Sequence, residues 1–114
     1  MSLTRPTPAD LEKAIRNIPD FPKPGIQFKD ITPVLADARL FSGSIDLLTE
    51  RFRPGDVDAV VAIDARGFIF AAAAAVKLQA GLVPVRKQGK LPYRTHEQQY
   101  NLEYGTATVA VHVD

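Results

Sequence analysis

The sequence predicts an α/β fold, because one stretch combines a buried strand, a charged turn and an apolar helix. Residues 59–63 are all apolar and include three β-branched side chains, the pattern of a parallel strand covered on both faces. Residues 64–67 break this run with two charges and a glycine, and residues 67–79 predict an alanine-rich, largely buried helix. Residues 82–86 follow as a second short strand. Together they make one βαβ unit, which predicts parallel strands and a right-handed crossover.

The residues before this unit predict two helices and an ordered loop. Thr7 and Pro8 are a typical helix start, and apolar residues at helical spacing extend that helix to Ile18. Residues 21–30 are rich in proline and glycine but carry three large apolar side chains, so we expect a packed loop instead of a flexible linker. Residues 37–52 predict a second helix with an aspartate at its N-cap.

The residues after the unit predict a basic loop and an antiparallel ribbon. Residues 86–94 carry four cations among glycine and proline, and residues 100–104 and 106–113 alternate in character about Gly105. We expect Gly81 to end the alanine-rich helix in a left-handed conformation. One βαβ unit and one ribbon amount to about half of a doubly wound sheet. We therefore expect these residues to form an incomplete domain.

Composition limits the classes of function. The 114 residues suffice for one domain, and the net charge of +1 gives no global field that would attract nucleic acid or a membrane. The sequence has no cysteine, which excludes disulfides, thiolate metal sites and thiol nucleophiles. No apolar run approaches the ~20 residues that span a bilayer, and the N-terminus lacks the apolar core of a signal peptide. We expect a cytoplasmic protein.

The turn after the first strand is a candidate anion site. Asp64, Ala65, Arg66 and Gly67 lie at the carboxyl end of that strand, where open α/β sheets bind their ligands. The Arg66 guanidinium and the amides at the start of the next helix both favour negative charge. The alternative is that Asp64 caps the helix and Arg66 pairs with a surface carboxylate.

The basic loop is a second candidate anion site. Its cations are Arg86, Lys87, Lys90 and Arg94, and a loop of this composition can close over a polyphosphate and exclude water. A solvated basic loop or an RNA-contacting surface would account for the same residues.

Other polar residues carry less specific patterns. Glu103 has the chemistry of an acid, a base or a ribose-binding carboxylate, but its pattern is also that of an ordinary exposed strand residue. His96 and His112 are isolated, and we interpret both as structural or surface residues. The sequence contains neither a GxxxxGK nor a GxGxxG phosphate loop.

Four stretches resemble the adenine phosphoribosyltransferase family, in its order and at similar spacing. They are residues 20–35, 64–68, 84–92 and 100–105, and the resemblance extends over nearly the whole chain from Leu11 to Asp114. It implies a type I phosphoribosyltransferase-like α/β fold in incomplete form: N-terminal helices, an adenine-pocket loop, one βαβ unit and an antiparallel ribbon. It also implies a single partial domain, with a base-binding segment at 1–35 and a partial core at 36–114 that carries a mobile basic loop at 86–105.

This family transfers ribose 5-phosphate from phosphoribosyl pyrophosphate (PRPP) to N9 of adenine, forming AMP and pyrophosphate. The resemblance therefore implies a purine-salvage transferase that binds adenine, PRPP, AMP and pyrophosphate. It implies Mg²⁺ as a cofactor, bound mainly through PRPP or pyrophosphate. It also implies a homodimer, with neither a membrane nor a nucleic acid as partner.

By the same resemblance, Gln27, Phe28 and Lys29 belong to the adenine pocket. Backbone groups at Gln27 would contact the base edge, the Lys29 side chain would hydrogen-bond to the ring, and Phe28 would line the pocket. Many relatives carry arginine at the position of Lys29, so this sequence would lack a bidentate contact there.

The resemblance also assigns residues to pyrophosphate. Asp64, Ala65 and Arg66 resemble the pyrophosphate-binding turn, which in the family often contains a cis peptide that would join Asp64 to Ala65. Lys87 and Lys90 resemble the cations of a loop that closes over pyrophosphate, with the preceding arginine in support. Fixed cations would bind the departing pyrophosphate more tightly as its negative charge develops.

The implied catalytic residues are Arg66 and Glu103. Glu103 resembles a carboxylate that assists proton transfer at adenine N7, and Tyr104 lies beside it in the binding loop.

The family's 5-phosphate segment, an apolar strand with two acidic residues and a Thr/Gly-rich loop, has no counterpart in these 114 residues. The hypothesis is therefore that these residues alone have negligible transferase activity. One alternative is a non-catalytic nucleotide- or RNA-binding domain derived from the same fold, and another is specificity for orotate or hypoxanthine.

Overall fold

The computed structural model describes residues 4–102 and 105–114 of the chain, without the side chains at 101, 102, 105 and 106. The chain forms two compact units, Met1–Glu50 and Arg51–Asp114. Among the described residues, the first unit contains three helices and a two-stranded ribbon, and the second contains a four-stranded sheet and one helix. The α/β prediction is confirmed.

Helix α1, Pro8–Ala14, begins as the sequence predicts but ends earlier. The Asp10 amide donates to Thr7 Oγ1 at 3.2 Å, and the Thr7 amide donates to Asp10 Oδ2 at 2.9 Å, which makes a reciprocal capping box. The predicted extension to Ile18 is wrong, because the chain turns extended at Ile15 and continues as a strand. Pairing with a second strand overrides the local helical spacing.

That strand and its partner form an antiparallel ribbon, β1 (Arg16–Pro19) with β2 (Gln27–Asp30). The Gly25 amide donates to Asp20 Oδ1 at 2.8 Å inside the connection, and Gly25 has a φ of +90° that favours glycine. The Phe21 and Phe28 rings meet edge to face at 5.1 Å. The proline-rich stretch is thus ordered, as predicted, although its last four residues are a strand and not a loop.

Two helices complete the first unit, α2 (Thr32–Ala36) and α3 (Ala38–Thr49). The short helix α2 is absent from the sequence prediction. Asp37 caps α3 as predicted, since its Oδ1 accepts from the Leu40 amide at 3.0 Å. The helix ends at Thr49, before the predicted residue 52, and it buries Ile45 while Leu48 is 60% exposed.

The second unit is built on a mixed sheet with the strand order β3-β4-β6-β5. Its elements are β3 (Ala59–Ile63), α4 (Arg66–Leu78), β4 (Gly81–Lys87), β5 (Thr95–Leu102) and β6 (Gly105–His112). Strands β3 and β4 are parallel, and β6 pairs antiparallel with both β4 and β5. The predicted parallel βαβ unit and the antiparallel ribbon are both confirmed.

The core of the second unit is smaller than the sequence predicts. Helix α4 buries Ala71, Ala74, Ala75 and Leu78, but Val76 is 80% exposed. Strand β3 is not covered on both faces: Ala62 is buried, whereas residues 61 and 63 are 63% and 57% exposed. The left-handed residue after α4 is at position 79, with a φ of +56°, and position 81 already belongs to β4. Of the described helices, none has the length and apolar character needed to cross a membrane.

Candidate active site

An open cleft of about 690 Å³ lies at the carboxyl end of β3. It is bounded by the turn into α4, by the end of β4 and by the ribbon of β5 and β6. The lining residues are Ile63, Asp64, Ala65, Arg66, Gly67, Lys87, Tyr100 and Ala107. The predicted anion-binding turn and one predicted loop cation therefore meet in one place.

Asp64 is held from two sides at the mouth of this cleft. Its amide donates to the Val85 carbonyl at 2.8 Å, which continues the β3–β4 pairing by one residue. Its carboxylate accepts from Arg86 Nε at 3.4 Å, and its side chain is only 13% exposed. The peptide that joins Asp64 to Ala65 is cis, as the resemblance implies. The Arg86 guanidinium offsets the aspartate charge next to the candidate anion site.

The start of α4 faces the same cleft. Ala65 is the N-cap residue and makes no side-chain capping hydrogen bond. The alternative in which Asp64 caps this helix is therefore wrong, because its carboxylate is turned to Arg86 instead. The first-turn amides and the exposed Arg66 side chain give this end of the cleft positive character.

The basic loop is connected to the turn through Arg86. Arg86 Nη1 donates to the Lys90 carbonyl at 3.5 Å, and the Lys90 amide donates to the Lys87 carbonyl at 3.1 Å. The Gln88 amide donates to the Thr108 carbonyl at 2.9 Å, which fixes the loop base to β6. A single guanidinium thus joins the carboxylate of the turn to the backbone of the loop.

The structure does not bring all the loop cations into the cleft. Lys87 lines it, whereas the exposed Lys90 is outside its lining. The Arg94 guanidinium lies 5.6 Å from the centre of the Tyr93 ring, also outside the lining. Glu103 and Tyr104, assigned from the resemblance to catalysis and substrate binding, lie outside the described residues.

The sequence analysis missed three lining residues, Ile63 at the end of β3 and two residues of the β5–β6 ribbon. Tyr100 and Ala107 are directly opposite each other in the β5–β6 register, so their side chains share one face of the ribbon. The signal was available in the alternation about Gly105, but the face that turns to the cleft depends on how β6 joins β4. That pairing involves Arg86 with Ala110 and Lys87 with Val109.

The predicted base-binding residues lie on β2 in the first unit. Lys29 Nζ donates to Asn17 Oδ1 at 2.9 Å, and Asn17 Nδ2 donates to Gln27 Oε1 at 2.9 Å. Because side chains alternate along a strand, Gln27 and Lys29 share one face of the ribbon, and Phe28 is on the other with Phe21. The structure thus separates Phe28 from Gln27 and Lys29 by face. Asn17 was missed, since its role depends on the cross-strand register.

A βαβ unit with a cis turn at the end of its first strand and a basic loop after its second defines the type I phosphoribosyltransferase class of fold. Comparison with known proteins narrows this class. The adenine phosphoribosyltransferase of Acidothermus cellulolyticus is 58% identical over 111 residues, covering 94% of this chain and 63% of the relative. No family model matches the chain.

Solved structures agree with the sequence comparison. Adenine phosphoribosyltransferase from Rhodothermus marinus matches with a TM-score of 0.81 at 54% identity, over 91% of this chain and 59% of that one. The Giardia lamblia enzyme, solved with 9-deazaadenine, matches with a TM-score of 0.85 at 34% identity. The match covers 91% of this chain and 58% of that one. The chain spans about three fifths of the length of the curated relatives that it matches. Over more than nine tenths of its own length, the chain is therefore similar to adenine phosphoribosyltransferases.

Proposed function

We propose that these residues form the base-binding and pyrophosphate-binding part of an adenine phosphoribosyltransferase, which converts adenine and PRPP to AMP and pyrophosphate in purine salvage. The observation that carries the proposal is the cleft at the end of β3, where Arg66, Lys87 and the start of α4 converge. The names of the homologues support the reaction class.

The cleft residues would act on the leaving group. Cleavage of the C1–pyrophosphate bond passes through an oxocarbenium-like state in which negative charge builds on pyrophosphate. Arg66 and Lys87 would stabilise that charge more strongly in the transition state than in the ground state. Arg86 contributes by neutralising Asp64, which would otherwise repel the incoming anion. Lys90 would join them when the loop closes, and Glu103 would assist proton transfer at N7, with Tyr104 beside it.

The base would bind at the ribbon of the first unit. Backbone groups at Gln27 and the Lys29 side chain would contact adenine, and Phe28, on the other face of the strand, would line the pocket. Support comes from the Giardia lamblia relative, which was solved with 9-deazaadenine, an adenine analogue. Competition between adenine and hypoxanthine for one site tests this specificity: equal or better competition by hypoxanthine would overturn it.

The proposed cofactor is Mg²⁺, carried by the substrate. Within residues 4–102 and 105–114 no group of three His, Cys, Asp or Glu side chains is arranged to hold a metal ion. The Asp64 carboxylate is already engaged by Arg86. Bound through PRPP or pyrophosphate, Mg²⁺ would offset phosphate charge. The proposal also includes a cytoplasmic homodimer.

Anion binding is the sharpest test of the proposed site. We expect pyrophosphate to bind the 114-residue protein in calorimetry, and Arg66→Ala or Lys87→Ala to weaken binding roughly tenfold each, because each variant removes one charge-assisted contact. Lys77→Ala is the matched control, because it removes the same charge at the other end of α4. If all three variants weakened pyrophosphate binding equally, the loss would be explained by net charge alone, and the proposed site would be contradicted.

Catalysis is tested separately. We expect negligible AMP formation from adenine and PRPP by the 114-residue protein, because its sequence has no counterpart of the family's 5-phosphate segment. AMP formation above the rate of a protein-free control would refute this expectation, and loss of that activity in Arg66→Ala would still support the transferase assignment.

The second candidate function is binding of RNA or a nucleotide without catalysis. It is favoured by the exposed cations Lys90 and Arg94 next to Tyr93, which is 52% exposed, since cations and aromatic rings together suit single-stranded nucleic acid. RNA affinity that falls steeply with salt and is lost in Lys87→Ala with Lys90→Ala would support it. Absence of RNA binding at low salt would eliminate it.

A further inference from the structure

One face of the β1–β2 ribbon carries a continuous chain of three polar side chains. Asn17 is directly opposite Lys29 in the ribbon register, and Gln27 is two residues before Lys29 on the same strand. Asn17 accepts from Lys29 Nζ and donates to Gln27 Oε1, both at 2.9 Å. All three residues are exposed. Asn17 therefore joins the two residues whose strand is assigned to the base in the proposed function.

The direction of these hydrogen bonds is fixed by chemistry. An ammonium group can only donate, so Lys29 requires the oxygen of the Asn17 amide. The Asn17 NH₂ group then faces Gln27 and donates to it, so Gln27 must accept this hydrogen bond with its side-chain oxygen. The donors of Gln27 and Lys29 that remain available to a ligand are the Gln27 NH₂ group and the other two N–H bonds of Lys29. These two side chains therefore present mainly N–H donors at this edge of the ribbon.

We propose that Asn17 is a positioning residue for base recognition. By holding the Gln27 amide in one orientation and Lys29 beside it, Asn17 directs N–H donors towards the ring nitrogens of a bound purine, which are acceptors. The inference rests on the proposed function, in which backbone groups at Gln27 and the Lys29 side chain contact adenine, and it adds a contact from the Gln27 side chain, whose orientation Asn17 sets. Without Asn17, the Gln27 amide is free to rotate and present its oxygen, which repels a ring nitrogen.

The substitution Asn17→Asp reverses this polarity at nearly constant size. A carboxylate offers two acceptors, so Lys29 stays bound while the Gln27 amide turns over and donates to the second oxygen. The matched control is Arg16→Gln. Arg16 is the neighbouring residue, and its ion pair with Asp30 at 3.5 Å lies on the opposite face of the ribbon. Both variants alter one exposed polar contact of the same ribbon.

The first arm of the experiment needs no ligand. In nitrogen-15 NMR of the 114-residue protein, the Gln27 side-chain NH₂ resonances should move strongly in Asn17→Asp, because that group becomes a donor to a carboxylate. They should stay in place in Arg16→Gln. Gln27 resonances that are unchanged in Asn17→Asp would overturn the inference and leave the proposed function intact.

The second arm measures recognition itself, by calorimetry with adenine and with 1-, 3- and 7-deazaadenine, each of which lacks one ring acceptor. We expect the wild type to lose roughly three- to tenfold in affinity for the analogue that lacks the contacted nitrogen, the effect of one hydrogen bond. Asn17→Asp should abolish that difference, and Arg16→Gln should keep it. A merely structural role for Asn17 would lower all four affinities together, which would overturn the inference. A wild type that does not bind adenine would overturn the inference and the adenine assignment together.

Discussion

At the scale of single residues, Arg86 is the side chain on which the arrangement of the cleft depends. It contacts the Asp64 carboxylate at 3.4 Å and the Lys90 carbonyl at 3.5 Å. The sequence placed Arg86 in a basic loop but could not assign it a partner, because the two residues are 22 positions apart in sequence. The same holds for Asn17, whereas the local caps at Thr7 and Asp37 were predicted correctly. Contacts within one helical turn can be derived from the spacing of residues in the sequence. Contacts between strands can be derived only when the pairing register of the strands is known.

Removing the Arg86 side chain should destabilise the second unit through Asp64. In Arg86→Leu the aspartate, whose side chain is 13% exposed, is left without its partner. We expect a loss of about 1–2 kcal/mol in the free energy of unfolding, the cost of one unsatisfied and partly buried charged group. Urea denaturation measures it. In a background with Asp64→Asn the loss should shrink, and an equal loss in both backgrounds would contradict the pairing.

Gly43 is required by a close contact inside the first unit. A Cβ at this position would lie 2.1 Å from Pro6 Cδ and 2.2 Å from Pro6 Cγ, within the rigid ring of a buried residue. Gly43→Ala should therefore cost about 1–3 kcal/mol of unfolding free energy, in spite of the better helix propensity of alanine. Gly67→Ala is the control in denaturation, since a Cβ there has no neighbour within 4 Å. Stabilisation by both variants would contradict the predicted clash.

At the scale of elements, the first helix shows why its length could not be derived from local pattern. Ile15 and Ile18 continue the apolar spacing of α1, but residues 16–19 gain four paired positions with β2. This pairing involves residues up to 14 positions away, so it competes with helix formation only after the chain has folded back. The βαβ unit was predictable because its strand and its helix are each long enough to show a recognisable pattern of apolar residues.

The start of α1 should respond to acid. The pKa of Asp10 is lowered from its usual value of 3.8, mainly by the hydrogen bond from the Thr7 amide. Desolvation opposes this shift, and the Thr7 side chain and Arg39 add smaller contributions that lower the pKa further. A carboxyl group with a lowered folded pKa contributes stability above its unfolded pKa, and that contribution is lost as the pH falls through the folded pKa.

We therefore expect the Thr7 amide proton to lose its hydrogen-bonded chemical shift in an NMR titration below about pH 3.8, the usual carboxyl value. In Asp10→Asn this pH-dependent change should be absent. A Thr7 shift that is insensitive to pH in the wild type would contradict the capping box.

At the scale of the whole molecule, the sequence indicated correctly which strands are parallel but not how well they are covered. It predicted β3 as buried on both faces, because an apolar run is the usual sign of such a strand. The structure covers one face with α4 and leaves residues 61 and 63 on the other face more than half exposed. An apolar run in a sequence predicts that both faces of a strand are buried. It does not tell which helix or strand packs against each face.

This uncovered face should make the 114-residue protein self-associate. Val61 is 63% exposed and lies beside the half-buried Val83 in the parallel register, so the two form part of one apolar strip. Val61→Thr keeps the β propensity but reduces the apolar surface, and we expect it to weaken association about tenfold, the effect of about 1.5 kcal/mol for one buried valine. Val76→Ala on α4 is the control, because it removes apolar surface of similar exposure from a different element.

Light scattering over a range of concentrations distinguishes the outcomes. A wild type that is monomeric at every concentration would contradict the prediction, and equal effects of the two variants would show that association is not specific to the β3 face. A defined dimer that Val61→Thr leaves intact would place the proposed homodimer contact on another surface. In that case the exposed β3 face and the dimer would be separate properties of the chain.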